Sequence, residues 1–339
     1  MQIDPAIVGT PLKVYHCTLG SRQSMNYAAA VQDRNPWYFD DERAGGTLAP
    51  PMQAVALTWP IFERLPEFLP EHGLPLEALR TQVHYSEHLV FHRPLKPGDA
   101  LTVQGHIAAI LPHRAGTQAV IRLDACDAAG APVFTEYNGG LLRGVTCGGA
   151  GQGGPDIPCA PRARPEAPAV WQAPIPIDPL APFIYDGCTD IYFPIHTSVQ
   201  FARTVGLPDI ILQGTATLAL AAREIVNREG GGDPRCLKAL CCRFSAMVLP
   251  GETITVQLNE RRIDPGGRDL FFAVLNETGG RAVNHGYARI EAVRAERRIY
   301  GPTANGSDMA SCGKMGPRKT GRRSPGVRQR APHLEAVPA

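Results

Sequence analysis

From Thr215 to Ala222 the chain reads Thr-Ala-Thr-Leu-Ala-Leu-Ala-Ala, apolar almost all round. This pattern predicts a helix over residues 214–228 that is buried on most sides, ended by Gly230-Gly231-Gly232. Elsewhere the apolar positions alternate, as in half-buried strands. Phe91-His-Arg-Pro-Leu-Lys-Pro97-Gly98-Asp99-Ala-Leu-Thr-Val-Gln104 is echoed by Phe244-Ser-Ala-Met-Val-Leu-Pro250-Gly251-Glu252-Thr-Ile-Thr-Val-Gln257. Each copy is a Pro-Gly turn feeding a strand. Further echoes pair Asp33-Arg-Asn35-Pro36-Trp-Tyr38 with Ile191-Tyr-Phe193-Pro194-Ile-His196, and Gly130-x-x-Val133 with Gly280-x-x-Val283. A repeat this long means duplicated domains, not a solenoid. Each half has a short helical lead-in (24–31 in the first), an Xaa-Pro region, a helix, then strands. The first half's main helix is expected to start at Pro50-Pro51 and to kink at Pro60. The predicted class is α+β, each antiparallel sheet wrapped around a central helix.

The chain has 339 residues, 44% hydrophobic and 19% charged, enough for two domains and a sizeable core. Many of its 35 glycines and 32 prolines fall in one stretch without periodicity, so residues 10–145 and 181–298 are expected as domains and 146–180 as a Gly/Pro-rich linker. Gly149, Gly151 and Gly154 match a dinucleotide fingerprint by letter. With Pro155 and Pro158 behind them they do not open a helix, so the match is compositional. Residues 302–339 carry seven Lys/Arg against two acids, +5, leaving −3 for the rest of a chain whose net charge is +2. That segment is expected to be a disordered basic tail. A mildly acidic folded part argues against nucleic-acid binding. No apolar run reaches membrane-spanning length and the first residues lack the regions of a secretory leader, so a cytoplasmic protein is expected. The nine cysteines form no C-x-x-C pair, which suits free thiols. His84, His88 and His92 fall on one face of a regular strand with rings about 13 Å apart, too far to share an ion, and no metal site is expected.

Asp190-Ile-Tyr-Phe-Pro194-Ile-His196-x5-Ala202, followed by Gln213-Gly214-Thr215 at the start of the apolar helix, resembles the signature of the MaoC-like (R)-specific enoyl-CoA hydratases and dehydratases. The first half resembles the degenerate hotdog that precedes it in double-hotdog members, through Tyr27-Ala-Ala-Ala, Asp33-Arg-Asn35-Pro36, Pro50-Pro51-Met52 and Phe91-x-x-Pro94-x-x-Pro97-Gly98-Asp99. The likeness covers roughly residues 10–145 and 175–295. It implies a double hotdog that adds water reversibly to a 2-enoyl thioester, with no cofactor beyond the coenzyme A thioester that is its substrate. An acyl-carrier thioester is the second carrier it allows, and a homodimer of double hotdogs one assembly.

Such chemistry needs a base for the water proton, an acid for the α-carbon and donors for the thioester oxygen as it gains negative charge. The resemblance puts His196 in the first role and the N–H of Gly214 in the last, at the positive end of a helix dipole, with Gln213 and Thr215 beside it. Position 213 holds Gln where the family has His. Where the family has Asp and Asn, this chain has Ile191 and Phe193, and Asp190 is the candidate displaced acid. In the first half Asp33 and Asn35 fit the pattern, but Tyr38 stands at the His position. A non-catalytic acyl-binding or scaffolding hotdog subunit and a hotdog thioesterase are the rival readings.

Overall fold

The computed structural model describes residues 1–70, 74–79, 82–153, 157–164 and 168–293, and the expected basic tail lies outside them. Helices are α1 (Ser21–Ala30), α2 (Gln53–Glu63), α3 (Leu65–Phe68), α4 (Leu76–Leu79), α5 (Ala181–Thr189), α6 (Val199–Thr204) and α7 (Gly214–Glu229). First-half strands are β1 (Gln2–Ile3), β2 (Tyr15–Thr18), β3 (Gln82–Phe91), β4 (Ala100–His113), β5 (Gly116–Cys126) and β6 (Pro132–Arg143). After the connecting β7 (Thr146–Cys147) and β8 (Gln152–Gly153) come β9 (Trp171–Pro176), β10 (Leu237–Phe244), β11 (Thr253–Asp264), β12 (Gly267–Leu275) and β13 (Arg281–Ile290).

One sheet runs through both halves in the order β2-β4-β5-β6-β3-β10-β13-β12-β11-β9. The halves join where β3 pairs antiparallel with β10, Val90 opposite Ala239 and Ser86 opposite Arg243. Each half thus covers the other's open strand edge, which would otherwise expose a row of unpaired backbone groups. Gly98 and Gly251, the paired turn glycines, both adopt the left-handed region (φ 91° and 90°), which a Cβ disfavours. The sequence repeat is therefore a repeat of backbone conformation.

Helix α7 buries Thr215–Ala222, Ile225 and Val226, as its all-round apolar pattern requires. Helix α2 carries Pro60 inside it, and the chain re-enters helix at Leu65. The lead-in helices α1 and α5 meet through a hydrogen bond between the Tyr27 and Tyr185 hydroxyls (2.9 Å), both rings buried. Sixty-odd buried side chains drawn from both halves form one continuous core.

The linker expected over 146–180 is largely stitched into the fold. β7 pairs in parallel with β1, while β8 pairs antiparallel with β4 and β9 antiparallel with β11. In β9 Ala173 and Ile175 are buried while Gln172, Pro174 and Pro176 face out, a strand alternation hidden by its proline content. An edge strand tolerates proline because its missing N–H faces outward. Among the described residues every cysteine is free, and no helix is long and apolar enough to cross a membrane.

Beneath the helices lies a polar cluster. Glu87 on β3 and Glu136 on β6 are both fully buried. Asn138 Nδ2 reaches Glu87 Oε2 (3.4 Å) and Glu136 Oε1 (3.5 Å), and Thr58 Oγ1 of α2 donates to Glu136 Oε2 (2.5 Å). Burial raises both carboxyls well above the usual carboxylate range, and the charge of Glu87 pushes Glu136 further. A carboxyl whose folded pKa is raised holds its proton more tightly folded than unfolded. Its contribution to stability is complete below about pH 4.5 and is lost as the pH rises through the raised value. Glu136→Gln, which keeps shape and removes the titration, should therefore flatten the fall in melting temperature on the alkaline side. An unchanged pH slope in that variant would contradict the assignment.

Candidate active site

His196 sits on a 3-10 turn, Pro194–His196, entered from extended Phe193. In the first half the matching turn is held by side chains, Asp33 Oδ1 accepting from Asn35 N (3.1 Å) and Asn35 Oδ1 from Trp37 N (3.1 Å). Ile191 and Phe193 do neither. Here Thr189 Oγ1 accepts from Ile191 N (3.2 Å), and Ser198 N bonds Pro194 O (2.8 Å) while the Ser198 hydroxyl caps α6. Ile191 is buried in the core, and the exposed Phe193 packs edge-on against Phe201.

His196 Nδ1 lies 2.8 Å from Ile211 O. A carbonyl only accepts, so Nδ1 carries the proton and Nε2 presents a lone pair. Burial lowers His196 to about 4, with the Ile211 carbonyl opposing, so the ring is neutral at neutral pH and its Nε2 lone pair is free to accept a proton. The strand of chain after Ile211 leads into the N-terminus of α7, where the first N–H groups lack intrahelical acceptors. A Cβ at Gly214 would meet the Phe244 ring at 3.1 Å. Buried Gln213 donates from Nε2 to Pro182 O (3.0 Å), while Gln213 Oε1 and Thr215 Oγ1 are buried without hydrogen-bond partners. Thr215 Oγ1 faces the Tyr185 hydroxyl but falls short of hydrogen-bond geometry. Two unpaired buried oxygens beside free helix N–H groups are the kind of vacancy a polar ligand fills.

The structure thus brings His196, Gln213, Gly214 and Thr215 to one locality. Asp190 it treats differently. It is exposed, in left-handed conformation (φ 58°) at the C-cap of α5, with its backbone N–H on Asp186 O (3.1 Å). Among the described residues no hydrogen bond or ion pair joins Asp190 to His196. Asp190→Asn is accordingly expected to change kcat less than about twofold, the displacement of a genuine acid costing 100-fold or more; steady-state kinetics decides.

The first half's equivalent site is closed. Tyr38 is 1% exposed, and the cavity bounded by Tyr27, Asp33, Tyr38, Met52 and Ala219 holds only about 10 Å³, no more than one water. Asp33 and Asn35 instead clip the far end of α7, Asn35 Nδ2 donating to Gly232 O (2.7 Å) and Asn227 Nδ2 to Asp33 Oδ1 (3.4 Å). A larger cavity of about 520 Å³ lies along β9 against Arg223 and Arg228; neither cavity is lined by His196. Arg93, whose charge suits a phosphate, is already held by Asp99 (2.8 and 3.0 Å).

Two sheets' worth of strands closed over two central helices, with a histidine turn beside one helix N-terminus, define a double hotdog. Comparison with known proteins gives the same fold: a MaoC-like dehydratase from Phytophthora capsici superposes with a TM-score of 0.71 over 85% of this chain and 98% of that one, at 24% identity. Residues 162–278 match the model of a MaoC like domain, and residues 6–136 match a FAS1-like dehydratase domain region. Two Mycobacterium tuberculosis proteins are similar in sequence. Enoyl-CoA hydratase ChsH3 is 28% identical over 62% of this chain and 70% of its own length; 3-hydroxyacyl-thioester dehydratase Y is 30% identical over 54% and 63%. For the latter the match falls short of two thirds of the relative's length.

The sequence pointed to His196, Gln213, Gly214 and Thr215, and it missed the buried polar cluster altogether.

Proposed function

We propose that this chain is a hydro-lyase acting on acyl thioesters, adding water to a 2-enoyl group or removing it from a 3-hydroxyacyl group. The observation that carries the reading is the fixed tautomer of His196, an unprotonated Nε2 in the same locality as the open N-terminus of α7. In the hydration direction Nε2 takes a proton from water as the oxygen bonds the β-carbon. The N–H of Gly214 and its neighbours stabilise the oxyanion formed on the thioester carbonyl, and a proton then reaches the α-carbon. The names of the two mycobacterial relatives support the reaction, and that of the first, an enoyl-CoA hydratase, supports coenzyme A as the carrier.

Apolar side chains lie exposed around this locality. Phe183 and Ile184 follow Pro182, the partner of Gln213. Phe193 precedes the His196 turn, and Met247 and Leu249 flank Val248, which bonds Leu212. These five are 39–47% exposed, which supports a large apolar acyl group as substrate. A panel of 2-enoyl-CoA thioesters of increasing bulk, followed by loss of the conjugated absorbance, tests this. Turnover rising with acyl bulk is expected; activity confined to the shortest chain would contradict the size assignment.

One observation favours the rival reading of a non-catalytic acyl-binding subunit, namely that among the described residues no carboxylate is bonded to His196. Binding of a saturated acyl-CoA together with complete absence of turnover across the panel would establish it.

A further inference from the structure

Part of the chain between the two halves lies on the sheet's outer face, the one turned away from the helices. Ile157 packs against a cluster of Ala108, Ala109, Val120 and Tyr137 on β4, β5 and β6, separate from the main core. Further on, Arg162 O accepts from Arg262 Nη2 of β11 (2.7 Å), and Arg164 N donates to Glu260 Oε2 of the same strand (2.7 Å). Residues 157–164 thus form a strap from β6 to β11, crossing β3, β10, β13 and β12. Its length agrees: five strand spacings are about 24 Å, and seven residues of extended chain span about as much. Along the way, Arg162 is one of three arginines whose charges join burial in lowering His285 on β13. Adjacent residues of β10 face opposite ways, and Cys242 belongs to the main core. Cys241 stands opposite His88, whose ring meets Tyr137, so it points to the outer face. A side chain on a bare outer face would be open to water, yet Cys241 is buried. Two residues past Ile157, about 7 Å along the strap and so level with β3 and β10, comes the exposed Cys159. Burial pushes the Cys241 thiol up to about 12, and the nearby charge of Cys159 adds to it.

We propose that Cys159 and Cys241 are a reversible disulfide site, which clasps the strap to β10 at the seam between the halves. The oxidant is a low-molecular-weight disulfide of the glutathione type. The thiolate of exposed Cys159 attacks one sulfur of that molecule, breaking its S–S bond and releasing one small thiol. The Cys241 sulfur, giving up its proton, then attacks Cys159 Sγ, and the second small thiol leaves. Two protein thiols are oxidised to one disulfide, and one small disulfide is reduced to two thiols that carry off the two protons. Burial keeps Cys241 protonated and out of the oxidant's reach, so Cys159 reacts first and Cys241 resolves it. Closure draws the strap to the Cα separation of about 5.5–6 Å that a disulfide requires. The loop it closes contains β9 and α5 to α7, so the cross-link constrains a large part of the unfolded chain.

The test treats the full chain with oxidised glutathione, blocks the remaining thiols with iodoacetamide and maps the peptides without reduction. The expected result is a peptide pair joined through Cys159 and Cys241, reversed by dithiothreitol. The oxidised chain should melt about 4 °C or more above the reduced one. Cys159→Ser should leave Cys241 unlinked and remove that rise. Cys241→Ser should hold a glutathione adduct at Cys159 that goes no further. If the buried Cys241→Ser variant fails to fold, the exposed Cys159→Ser carries the comparison alone. A folded wild-type chain that ends with glutathione on Cys159 and a free thiol at Cys241 would overturn the proposal. So would a link from Cys159 to any other cysteine, or a Cys159–Cys241 link that leaves the melting temperature unchanged.

Discussion

His196→Ala is expected to lower kcat on 2-enoyl thioesters about 100-fold or more, the usual contribution of a group that moves a proton in the transition state. Fold should be kept, because among the described residues the ring's one polar partner is the Ile211 carbonyl, which the departing side chain leaves open to water. The same geometry fixes the pH dependence. His196 is held near 4 by burial, so Nε2 remains an unprotonated base well below the ordinary histidine range. The acid limb of kcat/KM should fall near pH 4 and not near 6.5, where an unperturbed histidine titrates. An acid limb near 6.5 would mean that His196 is solvated in the working enzyme.

The second large effect is expected at Gly214. Proline there removes the N–H while leaving a first helical turn that proline tolerates, so turnover should fall about 100- to 1,000-fold, the scale of losing one oxyanion donor. Alanine keeps the N–H but places a Cβ 3.1 Å from Phe244, tighter than ordinary contact, and Phe244 also packs against the His84 ring. An intermediate loss is expected for Gly214→Ala. Equal activity of the proline variant and the wild type, both folded, would remove Gly214 from the site.

Much of this architecture was legible in the residues. The all-round apolar run from Thr215 to Ala222 demanded a central helix, and the Pro-Gly pairs at 97–98 and 250–251 demanded turns entering strands. Their shared spacing exposed the duplication. The linker was misread where Trp171–Pro176 pairs with β11, because two prolines masked an alternation that is acceptable only on an outer edge. The placement of three histidines on one face of β3 was overturned by a single irregularity between His84 and Ser86. A one-residue slip moves a side chain to the other face, and nothing in local composition marks where the slip occurs. The Glu87–Asn138–Glu136–Thr58 cluster was illegible for a related reason. Its members lie on two strands and a helix far apart in sequence, and only the β3–β6 register brings them together. The acid sought at Asp190 went astray because spacing alone cannot show that a residue caps a helix in left-handed conformation with its side chain in solvent.

Hydration itself is the most direct measurement. The purified chain is incubated with a bulky 2-enoyl-CoA, and the product is weighed by mass spectrometry while the conjugated absorbance is followed. The account predicts that absorbance falls as a product heavier by one water appears, that 3-hydroxyacyl-CoA regenerates the absorbance, and that His196→Ala does neither at a comparable rate. A folded wild-type chain that binds the thioester and leaves both mass and absorbance unchanged would contradict it.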